Sequence, residues 1–257
     1  MILIQQKYDS PNPDRQRELE LVRDINAATP AFAEVVHVDG GQKRWTFADF
    51  FRLAAERFPG RVCVLANSDI AFNESIVHVA PLAERAILVA LSRWDDASAP
   101  SMEGRVEGDR WHFYSHSQDV WAFKAGGLPP FNADFQLGVP QCESRLAYEA
   151  AAGGTIVLNP ALSIRCLHHH ASAIRTWARS DRYRGPMLFP RMTTIDGLDP
   201  EAFVLDRTRR ATKLGVVVKL TSSPADFQAQ IAKKRRVFDV KTMRIGLRSP
   251  FYYRKRP

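Results

Sequence analysis

Residues able to do metal and proton chemistry stand at four places along the chain. The first is Asn67-Ser68-Asp69, where the apolar run Val62-Cys63-Val64-Leu65-Ala66 ends abruptly. Such a run, rich in β-branched side chains, predicts a strand buried on both faces. A carboxylate at the C-terminal end of a buried strand stands where open α/β sheets bind ligands. The others are Asp119, Glu143 and the run His168-His169-His170. An aspartate and a neutral imidazole together can hold a divalent cation through oxygen and nitrogen. The remaining coordination positions stay open to phosphate oxygens and water, and such an ion neutralises a departing diphosphate. Glu143 opens an expected helix, where the dipole favours its ionised form. An ionised carboxylate accepts a proton from an attacking hydroxyl. Each group also has a plainer use: Asp69 or Asp119 as a turn residue or cap, Glu143 as a helix stabiliser, the histidines as a solvated loop.

The elements that must position these groups follow from periodicity. Ile2, Leu3 and Ile4 begin a first strand, which Pro11 and Pro13 end. Residues 15–28 carry Leu19, Val22 and Ile25 at helical spacing. Residues 34–38 read as a second strand. Thr46 and Asp49 form a capping box before a helix with Phe47, Phe50, Phe51, Ala54 and Phe58 on a broad apolar face. Pro59-Gly60 ends it, and the strand leading to Asp69 follows. The order β-α-β-α-β opens a doubly wound, mostly parallel sheet. No G-x-G-x-x-G follows the first strand and no Walker-type loop occurs, so the evidence for a dinucleotide or P-loop site is missing. Further strands are expected at residues 86–91, 111–114, about 120–123 and 155–158, with a polar loop over 95–110. A long irregular stretch over 126–138 has the length of a functional loop. A helix opens at Glu143 and closes at Gly153-Gly154. Farther on, 214–220 reads as a strand and 223–236 as a helix.

The length of 257 residues and the 45% hydrophobic content suit one large α/β domain with an appendage. No apolar run approaches the roughly 18 residues that span a bilayer. The opening MILIQQKYDS is too soon polar for a signal peptide. Cys63, Cys142 and Cys166 are odd in number and lack metal-ligand spacing, as expected of reduced thiols in a cytoplasmic protein. Charge is divided unevenly. Residues 1–164 hold 15 basic and 21 acidic side chains, a net of −6; residues 165–257 hold 21 and 7, a net of +14. A basic C-terminal third predicts an acidic partner, or else a solvated face that serves solubility.

Taken in order, Ala66-Asn67-Ser68-Asp69-Ile70, Ala90-Leu91-Ser92-Arg93-Trp94, Ser117-Gln118-Asp119-Val120-Trp121, Gly138 through Glu143, and His168-x-His170-x-Ser172-x-x-Arg175 resemble a family of small glycosyltransferases with a GT-A-type fold. The resemblance covers about residues 1–177. It implies a GT-A-like core, 1–177, with a central mostly parallel sheet flanked by helices, and leaves 178–257 as a basic α+β extension. In that family an acidic motif after a central strand holds a metal bound to the sugar-nucleotide diphosphate, a later acid at a helix start activates the acceptor, and a histidine further on completes the metal site. Carried over, the resemblance implies Asp69 with His168 or His170 as ligands of Mn2+ or Mg2+. It implies Glu143 as the base, with Asp119 in reserve. It sets a nucleotide-sugar donor, expected to be a UDP-sugar, against Gln5, Tyr8, Arg44, Asn67, Ser68 and Arg93. Asn67-Ser68-Asp69 keeps only the second aspartate of the family's usual pair, which bears directly on metal affinity.

The basic extension gives the acceptor. Lys233, Lys234, Arg235 and Arg236 supply phosphate contacts, while Tyr252 and Tyr253 offer faces for base stacking. A base inside a duplex reaches a buried donor only when flipped, or when the enzyme takes single strands, with Trp121 or residues of the loop 126–138 as candidate support. The leading expectation is a glycosyltransferase acting on a hydroxymethylated base in DNA. The competing readings are a glycosyltransferase acting on a glycan or small molecule, a non-catalytic nucleic-acid-binding protein, and a metal-dependent nuclease.

Overall fold

The apolar run ending at Asn67 lies inside a six-stranded sheet in the computed structural model of the chain. The structure describes residues 1–40, 43–95, 103–107, 110–114, 118–172 and 178–185, together with 187, 188, 190, 192, 194 and 195. Strand β1 (Ile2–Lys7), helix α1 (Pro13–Ala27), strand β2 (Glu34–Asp39), helix α2 (Phe47–Arg57) and strand β3 (Val62–Ala66) follow in the expected order. The Asn12 side chain accepts from the backbone N–H groups of Asp14 and Arg15, with Pro13 at the first helical position of α1. The expected box at Thr46 and Asp49 caps α2.

After β3 come β4 (Ile70–Phe72), a short α3 (Ala80–Ala83), β5 (Ile87–Leu91), β6 (Glu103–Glu107), β7 (Arg110–Tyr114), β8 (Val120–Lys124), α4 (Cys142–Ala152), β9 (Ile156–Leu158) and β10 (Cys166–His168). The main sheet has the order β2-β1-β3-β8-β5-β9. β1 pairs parallel with β2 and β3, and β5 pairs parallel with β9. β8 runs antiparallel to both β3 and β5. All five residues of β3 and all five of β5 are buried, as their unbroken apolar composition requires.

The chain leaves β1 toward β2 on one side and returns across it to β3 on the other. Right-handed crossovers then put α1 and α2 on opposite faces. Contacts agree: Asn26 of α1 reaches Gln5 on one face, while Phe47 and Phe51 of α2 meet Trp121 and Phe123 on the other. The reversal makes the C-terminal ends of β1 and β3 a topological switch point, where α/β sheets open a crevice. Because β8 is antiparallel, its N-terminal end lies at that same edge and delivers Asp119 there.

Two features depart from expectation. Residues 103–107 form β6, paired with β7 in a separate two-stranded ribbon, where a polar loop was expected. Only Val106 among its five residues has a large apolar side chain, so periodicity carried no strand signal. Second, β4 and β10 pair antiparallel in their own small sheet, with His168 opposite Ile70. The start of the basic segment, expected as an extension packed on the core, is hydrogen-bonded to it. The Tyr183 hydroxyl accepts from the backbone N–H of Gln136 at 2.7 Å, and the Leu188 N–H donates to the Ser144 carbonyl at 2.9 Å. The expected strand at 214–220 and helix at 223–236 lie outside the described residues, as do Lys233, Lys234, Arg235, Arg236, Tyr252 and Tyr253. Among the described residues, no helix is long and apolar enough to cross a membrane. The three cysteines are free thiols buried in the core.

Candidate functional site

The turn after β3 is built from both sides of the sheet edge. The Ile70 N–H donates back to the Asn67 carbonyl at 3.2 Å, and Gln5 Nε2 donates to the same carbonyl at 2.9 Å. Asn26 donates to the Ile70 carbonyl at 2.9 Å and accepts from the Phe72 N–H. The Ser68 hydroxyl donates to the Gln6 carbonyl at 2.6 Å. Asp69 is thereby fixed in the turn at the C-terminal end of β3. Pairing of β4 with β10 then brings the histidines to it, and the His169 N–H donates to the Asp69 carbonyl at 2.8 Å.

His168 Nε2 lies 3.3 Å and His170 Nδ1 3.4 Å from Asp69 Oδ2. Asp69, His168 and His170 can each offer a ligand atom, all within 4.8 Å of one another, and they are the one such cluster among the described residues. Both histidines, rather than one of the two, face the aspartate. Burial alone would raise the Asp69 carboxyl, but hydrogen bonds from His168 and His170 and the charges of His168 and Arg15 hold it far below the usual carboxylate range. Burial pulls the His168 pKa down, yet Asp69 outweighs it and raises the pKa above the ordinary value.

Arg15 was not foreseen as part of this site. It is 3% exposed and donates to Asp69 Oδ2 at 2.5 Å, to Glu18 Oε2 at 2.8 Å and to the His169 carbonyl at 2.8 Å. Burial works against its charge, and Glu18 and Asp69 more than restore it. Glu18 in turn accepts from the Ser172 N–H at 2.8 Å and hydroxyl at 2.9 Å. Helix α1 therefore grips the histidine segment at two points. A signal for this existed: Arg15, Leu19, Val22 and Asn26 are the buried residues of α1, so the apolar stripe extends in both directions onto polar side chains.

Opposite Asp69, Asp119 ties three strand ends together. Its N–H donates to the Leu91 carbonyl and its carbonyl accepts from the Asn67 N–H, both at 3.0 Å. Asn67 Nδ2 donates to Asp119 Oδ1 at 2.6 Å, and Arg93 Nη1 stands 3.5 Å from Asp119 Oδ2. An aspartate at position 67 would set two carboxylates against each other at that distance, which accounts for the asparagine there. Arg93 also donates to Asp95 Oδ1 at 2.8 Å. Burial disfavours its charge, but Asp119 and Asp95 raise its pKa overall.

Glu143 lies in the first turn of α4, within electrostatic reach of Asp119 and Arg93. The expectation that the helix start keeps it ionised is corrected here. Burial raises its pKa, and the Asp119 charge adds to that; hydrogen bonds from its own backbone N–H and from Cys142 offset only part. The value is pushed up to about 8. Desolvation outweighs those hydrogen bonds and favours the protonated form of Glu143.

Two further expectations are corrected. Gln5 is 1% exposed and its amide is committed to Asn67, Ile70 and Asn26; it shapes the turn and does not reach a donor. Trp121 is 1% exposed and packs edge-on against Phe47, with ring centroids 4.7 Å apart, so it is core and no platform for a base. Arg44 donates to the carbonyls of Leu137 and Gly138 and so anchors the irregular 126–141 stretch. Gly138 has a φ of +75°, and a Cβ there would lie 2.8 Å from the Arg44 guanidinium. Tyr8 is half-buried, and its hydroxyl accepts from Arg15 Nε and Nη2 at 3.2 and 3.0 Å.

The donor set fits a divalent cation. His168 Nδ1 lies 3.0 Å from Asp95 Oδ1, so with its Nδ1 proton on Asp95 the ring could offer Nε2 to a cation in place of the hydrogen bond that Nε2 gives Asp69. Two imidazole nitrogens and one carboxylate suit Mn2+ or a later transition metal better than Mg2+, which prefers oxygen. Comparison with protein-family models gives no match, and comparison with curated proteins gives none.

Proposed function

We propose that this chain is a sugar-nucleotide-dependent glycosyltransferase with a Mn2+-type cation held by Asp69, His168 and His170. The observation that carries the reading is the convergence of His168 and His170 on one carboxylate oxygen of Asp69 at the sheet's switch point. Their order along the chain agrees with the resemblance to GT-A-type enzymes. Support also comes from the antiparallel β8 within an otherwise parallel sheet, which brings Asp119 to the same edge. When bound, the cation supplies charge neutralisation of the departing diphosphate. Arg93, with its side chain 28% exposed, offers a second cation to a phosphate oxygen, as a planar donor suited to phosphate. Glu143 takes the proton of the acceptor hydroxyl once it is itself deprotonated, and Asp119 is the alternative base.

The favoured acceptor is a hydroxymethylated base in DNA, which rests on the net +14 of residues 165–257. A metal-dependent phosphodiesterase is the second reading. The acids, scattered in sequence, gather around one edge with the histidines, and that arrangement also suits phosphodiester hydrolysis. Thermal shift with a panel of UDP-sugars, with and without Mn2+, separates the two. A transferase is stabilised by donor and Mn2+ together. Stabilisation by DNA and Mn2+ but by no sugar nucleotide would favour the phosphodiesterase.

A further inference from the structure

We infer that Asp95 is a positioning residue for the cation site and acts through His168; the inference rests on the metal reading above. A histidine ring can present either nitrogen to a ligand, and a carboxylate on one side decides which. Asp95 reaches His168 through backbone pairing. The Trp94 N–H donates to the Cys166 carbonyl and the His168 N–H to the Trp94 carbonyl, both at 2.8 Å. The Trp94 indole N–H donates to the Ala161 carbonyl at 2.8 Å and pins that segment from the other side. These bonds set Asp95 Oδ1 at 3.0 Å from His168 Nδ1, while Nε2 faces Asp69 Oδ2 at 3.3 Å. The ring is held between two carboxylates, and Asp95 keeps Nδ1–H as a donor so that Nε2 is the ligand atom.

A purely structural role fits less well. The Asp95 side chain is 49% exposed, and an exposed ion pair with Arg93 contributes little to stability. Arg93 also retains Asp119 when Asp95 is removed.

The test is a Mn2+ titration of the full chain, read by the electron paramagnetic resonance of free Mn2+, beside a thermal melt without metal. Asp95→Ala is expected to weaken Mn2+ binding by roughly 10- to 100-fold, the usual effect of losing such a support, with an unchanged melt. Asp95→Asn keeps an acceptor for Nδ1–H and is expected to lose less. In a His168→Ala background, Asp95→Ala is expected to cause no further loss, because its effect passes through that ring. Parent-like affinity in Asp95→Ala, or an equal loss in the His168→Ala background, overturns the inference. A parent chain that binds no Mn2+ instead overturns the metal reading itself, and the inference with it.

Discussion

Replacing Arg15 by methionine tests how the site is held together. The side chains of Arg15, Asp69 and Glu18 are 4%, 13% and 16% exposed. Removing one member of a buried ionic group typically costs about 3–5 kcal/mol, since it strands the others. Here both stranded carboxylates keep partners: Asp69 has His168 and His170, and Glu18 has the N–H and hydroxyl of Ser172. The cost therefore falls at the low end, about 3 kcal/mol. At roughly 2–4 °C per kcal/mol for a chain of this size, the melting temperature drops by about 6–12 °C. The pH dependence follows from the same contacts. Asp69 and Glu18 are both held below their ordinary values in the folded chain, so their stabilisation is complete above about pH 4 and fades as pH falls through the folded values. Arg15→Met raises those folded values. The stability gap between parent and variant is then full at pH 7 and narrows below about pH 4. Thermal melts across pH measure both effects. A drop under about 2 °C at pH 7, or a gap that widens in acid, would refute the buried-clamp account.

Other outcomes follow from the same geometry. Asp69→Asn keeps the shape of the turn and removes the anionic ligand; it is expected to abolish measurable Mn2+ binding by calorimetry while circular dichroism stays that of the parent. Glu143, with its pKa near 8, predicts turnover that rises with pH to a plateau above about 8. Glu143→Gln is expected to lower turnover by about 10²- to 10⁴-fold and flatten that rise. Because the folded pKa of Glu143 is raised, the parent loses stability as pH climbs from the ordinary carboxylate value through about 8, and the glutamine variant does not. Binding to a short DNA duplex is expected to weaken by roughly 10³-fold or more between 50 and 200 mM salt; a flat response removes DNA as the acceptor.

The opening β-α-β-α-β order and the strand end that holds Asp69 were legible because β3 and β5 are wholly apolar runs and Thr46 and Asp49 cap α2 with a clear local signal. The pairing of β4 with β10 was not. Three-residue strands are too short to show alternation, and it is their register that places His168 and His170 beside Asp69. Arg15 was hidden for another reason. A charged residue near a helix start reads as solvated, and only the phase shared with Leu19 and Val22 marks it as inward. The proton on Glu143 depends on burial set by the tertiary fold, against which a helix-start argument carries little weight. Trp121 misled because an aromatic beside a candidate acid resembles a binding platform, whereas β8 is central and its residues are core.

The most direct measurement is mass spectrometry of hydroxymethylated DNA incubated with the full chain, Mn2+ and a panel of sugar nucleotides. The expected result is one sugar added to the DNA from one donor, with matching release of nucleoside diphosphate, and loss of both in Asp69→Asn. DNA of unchanged mass with every donor left intact, under conditions where the chain binds Mn2+, would contradict the assignment as a DNA-directed glycosyltransferase.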